Sequence, residues 1–155
     1  MSYTDDFCSL MQEYTVFLED AARQEKEKLS ALLSGDLPQI EQVITAEQAL
    51  EKQINGYEKS RLSLLEKMGC PNTTFREFLL TLPEEQKSAM NKIYSRMQQA
   101  TETIKYYNEK SLDYVKGNLK KIHLMEQSAG SEAGYSPENR NPDGWDDKNL
   151  FTKKV

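Results

Sequence analysis

Apolar residues recur at alternating intervals of three and four along most of the chain, which is the spacing that places side chains on one face of an α-helix. The longest uninterrupted stretch runs from Asp36 to Met68 and predicts a single helix of roughly 50 Å. Because its apolar stripe is narrow, this helix requires another part of the chain along its length. The stripe consists of Ile40, Val43, Leu50, Ile54, Tyr57, Leu64 and Met68.

Both ends of this helix carry sequence signals. Asp36 precedes Pro38 and Gln39, which is the pattern of an N-cap acid, a proline in the first turn and a capping-box partner. Gly69 is expected to adopt the left-handed conformation that ends a helix, and Pro71 cannot continue one. We interpret this stretch as the scaffold helix around which the rest of the chain packs.

A first helix is predicted before the scaffold helix, with its end at Ser34 and Gly35. It has a broad apolar half, a charged stretch at residues 23–28 and an apolar last turn. The connection to Asp36 is so short that the two helices are expected to form an antiparallel hairpin.

Three charged residues fall at positions where the two arms of this hairpin face a partner. Glu25 lies on the first arm, and Glu47 and Arg61 lie on the second. Polar residues at such positions often set the register of a helix pair and its choice of partner. The sequence leaves open which of the three pair with each other.

Two further helices are predicted after Gly69. Thr74 and Glu77 have the spacing of a capping box at the start of a short amphipathic helix. A last long helix follows Pro83 and continues to Met125, with an apparent shift of the apolar stripe near Ser111. The predicted fold class is therefore all-α: an elongated antiparallel bundle with coiled-coil character, three long helices and one short helix, in residues 1–125.

Residues 126–155 lack helical or strand periodicity and are predicted to form a flexible tail. Its aromatic and aliphatic residues are spread along an otherwise polar segment, a pattern that favours binding to a partner through these side chains. The alternative is a polar tail with incidental aromatic residues. The candidate anchors are Tyr135, Trp145, Leu150 and Phe151.

Composition narrows the range of functions. A net charge of -5 and the absence of long basic runs argue against binding to nucleic acid. With Cys8 and Cys70 far apart and His123 the single histidine, no metal-binding motif is present. No nucleophile motif or phosphate-binding loop occurs, so we expect neither an enzyme nor a cofactor. The chain has no signal pattern or membrane-length apolar run, which predicts a cytoplasmic protein without membrane insertion.

Several stretches resemble the FlgN family of flagellar type III export chaperones. They are residues 31–37 (Ala-Leu-Leu-Ser-Gly-Asp-Leu), the Glu-x-x-Arg pattern of residues 58–61, and residues 108–115 near the end of the last helix. The resemblance covers nearly the whole chain. At Glu47 the sequence departs from the family pattern, in which a lysine is more usual.

The resemblance implies a cytosolic chaperone for the hook-filament junction proteins FlgK and FlgL, bound through their C-terminal helical segments. It would prevent premature assembly and deliver these clients to the export gate, in particular to the component FlhA. Tyr135 and Phe151 in the tail are the candidate residues for binding the gate.

A chaperone for polymerising helical clients needs an exposed apolar helix face, and the end of the last helix is the candidate. The alternative for this face is ordinary core. An alternative function for the whole chain is a self-associating coiled-coil structural or adaptor protein, and a weak homodimer is left open. The candidate client-binding residues are Leu112, Val115, Leu119, Ile122 and Met125.

Overall fold

The computed structural model describes residues 2–128. These residues form three long helices and one short helix, and they contain no strand, so the all-α prediction is confirmed. The helices are α1 (Tyr3–Ser34), α2 (Leu37–Lys67), α3 (Phe75–Leu79) and α4 (Glu84–Ser128).

The helix ends follow the local sequence closely. Gly35 ends α1 with a φ of 70°, and Gly69 has a φ of 77° just after α2, so both predicted stops are confirmed. Asp36 is the N-cap residue of α2, but the predicted capping box is wrong because its side chain makes no capping hydrogen bond. Gln39 instead lies against the preceding helix, with its Oε1 3.2 Å from the hydroxyl of Ser34.

The capping box of α3 is confirmed. The backbone N–H of Glu77 donates to Oγ1 of Thr74, and the backbone N–H of Thr74 donates to the carboxylate of Glu77, each at 3.2 Å. α3 carries Phe75 and Phe78, which pack against Phe7 of α1 with ring centroids 6.1 and 4.4 Å away. This short helix therefore closes one end of the hydrophobic core.

The central helix is α1, since it packs against both α2 and α4, whereas α3 packs on α4. The sequence had suggested α2 as the scaffold of the fold. The structure differs because the buried residues of α2 begin only at Leu50, so the first half of α2 contributes no buried residue to the core. Buried residues of α1 instead extend along nearly its whole length, from Phe7 to Leu32.

The buried face of α4 continues through polar residues and does not shift near Ser111. The helix is uninterrupted from Glu84 to Ser128, and Asn108 and Ser111 are both buried. With Ile104 before them, these residues maintain the three-and-four spacing of a single helix face. The predicted register shift is therefore wrong, because the buried positions here are occupied by polar side chains.

Candidate functional site

The three long helices meet at a group of four polar side chains, which we call the lysine cluster. Glu25 and Lys28 belong to α1, Glu47 to α2 and Asn108 to α4. The ammonium nitrogen of Lys28 is buried between them. It lies 2.5 Å from Oε2 of Glu25, 3.3 Å from Oε1 of Glu47 and 3.1 Å from Oδ1 of Asn108. A single cation thus connects all three long helices.

The lysine cluster contains two carboxyl groups for one ammonium group. Burial, together with a hydrogen bond to Glu47, raises the pKa of Glu25 to about 8 against the opposing effect of Lys28. The carboxyl group of Glu25 therefore holds its proton to a higher pH than that of an ordinary glutamate.

A second group, the arginine cluster, consists of Tyr14, Glu58 and Arg61. Arg61 donates to Oε2 of Glu58 from Nε at 3.1 Å and from Nη2 at 2.9 Å. The hydroxyl of Tyr14 on α1 donates to Oε1 of the same carboxylate at 3.0 Å. Burial and then the negative charge of Glu58 raise the pKa of Tyr14, so its hydroxyl remains a donor. All three side chains are buried, and together they fix the register of α1 against α2.

The structure separates the charged residues that the sequence singled out. Glu25 and Glu47 belong to the lysine cluster, whereas Arg61 belongs to the arginine cluster. The sequence did not single out Lys28, and it marked Glu58 only as part of the family pattern of residues 58–61. Lys28 lies three residues from Glu25, and Glu58 lies three residues from Arg61. This spacing places side chains on the same helix face, and it was the signal from which both residues could have been predicted.

α4 extends past the end of α1. Three side-chain contacts between the two helices join residues 77 to 81 positions apart: Asp5 with Gln86, Glu19 with Arg96, and Lys28 with Asn108. At this offset Ser34, the last residue of α1, lies level with Tyr114. Residues 115–128, which we call the α4 overhang, therefore continue beyond the hairpin for roughly 20 Å.

The five residues predicted to bind a client lie across this transition, and their exposure increases along the helix. Leu112 is 8% exposed, and Val115 and Leu119 are partly buried. Ile122 is 49% exposed and Met125 is 68% exposed. The structure thus places Leu112 in the packed part of α4 and the other four residues in the α4 overhang.

The predicted gate-binding residues Tyr135 and Phe151 lie outside the described residues. The predicted tail, residues 126–155, is described only as far as Ser128, where α4 ends.

Cys8 and Cys70 are free, partly buried thiols, and burial followed by the charge of Asp5 raises the pKa of Cys8. Across residues 2–128, no group of three histidine, cysteine or acidic side chains is arranged to hold a metal ion. None of the helices in that range combines the length and the hydrophobicity that a membrane crossing requires.

Together these features define an all-α protein with two buried polar clusters and a projecting helix end with exposed apolar residues. An exposed apolar helix face is one of the surfaces through which helical proteins recognise partners. The family model described as FlgN protein matches residues 1–142, and the chain belongs to the FlgN family. It is therefore a flagellar export chaperone, a member of a chaperone family and not of an enzyme family. Searches of curated proteins and of solved structures found no match.

Proposed function

We propose that this chaperone binds the hook-filament junction proteins FlgK and FlgL in the cytoplasm and prevents their premature assembly. The observation that carries the proposal is the α4 overhang, on which apolar residues remain exposed beyond the end of α1. A client that polymerises through helices lacks its neighbour until it is assembled. An exposed apolar helix face can occupy the place of that neighbour.

The apolar face of the α4 overhang continues the buried face of α4 within the bundle. Val115, Leu119 and Ile122 follow Ser111 at intervals of four, four and three, so they lie on the side of α4 that packs against α1 further back. A client helix docked there would take the position next to α4 that α1 occupies in the bundle. The C-terminal helical segments of FlgK and FlgL are the proposed occupants.

We infer that the α1–α2 hairpin that supports this surface is antiparallel. Tyr14 contacts Glu58, whereas Lys28, later in α1, contacts Glu47, which is earlier in α2. The contacts of α1 with α4 progress in the same direction along both helices, which favours a parallel pair. An up-down-up arrangement of the long helices follows from these two relationships.

Replacing Leu119 and Ile122 together with glutamate is expected to abolish co-purification of FlgK or FlgL with the chaperone. Two charges on the proposed docking face would have to be buried without partners in the complex. Helicity by circular dichroism should change little, because Ile122 is half exposed and both residues lie beyond α1. Leu124→Glu is the matched control, since Leu124 is 53% exposed on the opposite side of the same helix.

Unimpaired client capture by the double variant would refute the proposed docking face, and a large loss of helicity would assign these residues to the fold. Light scattering at several concentrations provides an independent measurement. Oligomers that grow with concentration in the absence of client would favour the alternative, a self-associating adaptor.

We also propose that the chaperone delivers its clients to the export-gate component FlhA through Tyr135 and Phe151. Both residues follow the α4 overhang in sequence and are separate from the proposed client face. Tyr135→Ala is expected to weaken binding to FlhA while leaving client binding unchanged, as measured by pull-down with each partner. Equal recovery of FlhA by the variant and the unmodified chain would remove Tyr135 from this role.

A further inference from the structure

The α4 overhang combines its apolar stripe with lysine residues on both sides. From these positions we propose that the partner helix that docks there carries acidic residues on both sides of its own apolar stripe. The inference rests on the proposed function for the location of the site, and it adds the chemistry of the segment that the site selects.

The lysines flank the stripe at positions set by helix geometry. Successive residues are rotated by about 100° around a helix axis, so Lys116 lies at one edge of the face of Val115 and Leu119, and Lys120 lies further round on the same side. Lys121 lies on the other side of the helix, also turned away from the apolar face toward Leu124. All three lysines are exposed. Glu126, the only acidic residue of the α4 overhang, lies four residues after Ile122 at the far end of the apolar face and is partly buried.

This basic character contrasts with the rest of the molecule. The chain has a net charge of -5, yet residues 115–128 contain three lysines and one glutamate. Charges around an apolar contact select partners of complementary charge and accelerate their association. An amphipathic helix with acidic flanks therefore fits this surface better than one with neutral or basic flanks.

Two other occupants fit the surface less well. A second copy of the chain would bring its own lysines against Lys116, Lys120 and Lys121, which is unfavourable. A lipid surface favours a broad apolar face. Here the stripe is narrow, and Leu124 lies on the opposite side of the helix.

The experiment compares two labelled helical peptides with the same apolar stripe, one flanked by glutamate and one by lysine, for binding to the full chain by fluorescence anisotropy. We expect the glutamate-flanked peptide to bind about tenfold more tightly at low salt, as several exposed ion pairs together provide. The difference should shrink at 1 M salt, where the screening length falls to about 3 Å.

A triple variant with Lys116, Lys120 and Lys121 changed to glutamate should reverse the preference between the peptides. The matched control changes three exposed lysines of α2 to glutamate and should retain the original preference. These control positions are Lys52, Lys59 and Lys67.

Equal binding of both peptides, while FlgK and FlgL still co-purify, would overturn this inference and leave the proposed function standing. Failure of both peptides and both clients to bind would overturn the two together. The full chain could instead bind anionic phosphatidylserine vesicles, lose that binding in the triple variant and fail to discriminate between the peptides. This result would assign the α4 overhang to a membrane surface and overturn the inference.

Discussion

Lys28→Met is expected to lower the free energy of unfolding by about 3–5 kcal/mol, since it removes one partner of a buried ion pair. Lys28 is the cation of the lysine cluster, and without it Glu25 and Glu47 face each other with no balancing charge. Urea denaturation at pH 7, followed by circular dichroism, measures the change. The midpoint of thermal unfolding should fall by roughly 10 °C for a chain of this size.

Two comparisons separate this effect from a general effect of losing a lysine. Lys26→Met removes an exposed charge two residues away on the same helix and should change the free energy of unfolding by less than about 0.5 kcal/mol. Adding Glu47→Gln to Lys28→Met removes the charge left behind and should restore part of the loss. If Lys28→Met and Lys26→Met were equally stable, Lys28 would not stabilise the fold through the lysine cluster.

The free energy of unfolding is also expected to fall as the pH rises from about 5 to 8. Glu25 has a pKa of about 8 in the folded protein against 4.5 for an ordinary glutamate. Between these values the folded state holds a proton that the unfolded state has released, so each increase in pH favours unfolding. The slope for one group is at most about 1.4 kcal/mol per pH unit, and it levels off above pH 8.

Glu25→Gln isolates this contribution, because glutamine resembles the protonated carboxyl group and does not titrate. The difference in stability between Glu25→Gln and the unmodified chain should grow steadily in favour of the variant from pH 5 to 8. Urea denaturation of both proteins across this range provides the measurement. Curves that run parallel would show that Glu25 is ionised in the folded state over the whole range.

The lysine cluster also bears on the proposed client site, because of where it lies along α4. Asn108 is one turn before Leu112, the last buried residue of α4, and the α4 overhang begins just after it. The bond from Lys28 to Asn108 therefore ties α4 to α1 close to the point where the helix leaves the bundle. A surface held in place before binding loses less conformational entropy when a partner docks.

The sequence by itself determined the helices, most of their ends and the class of fold. Gly35, Gly69 and the pair of Thr74 and Glu77 act through backbone conformation and hydrogen bonds within a few residues, so their effects can be predicted locally. The three-and-four spacing of apolar residues likewise depends only on the helical repeat. Resemblance to the FlgN family could be recognised from the same stretches.

Only the tertiary structure decided that α1 is the central helix, that Lys28 is buried and that α4 extends past the end of α1. Lys28 and Asn108 are 80 residues apart, and no local pattern specifies that they meet. A charged residue such as Lys28 has the same helical spacing whether it faces solvent or a partner helix. Its environment is set by the packing of three separate helices, which is the physical reason that the sequence alone left it undetermined.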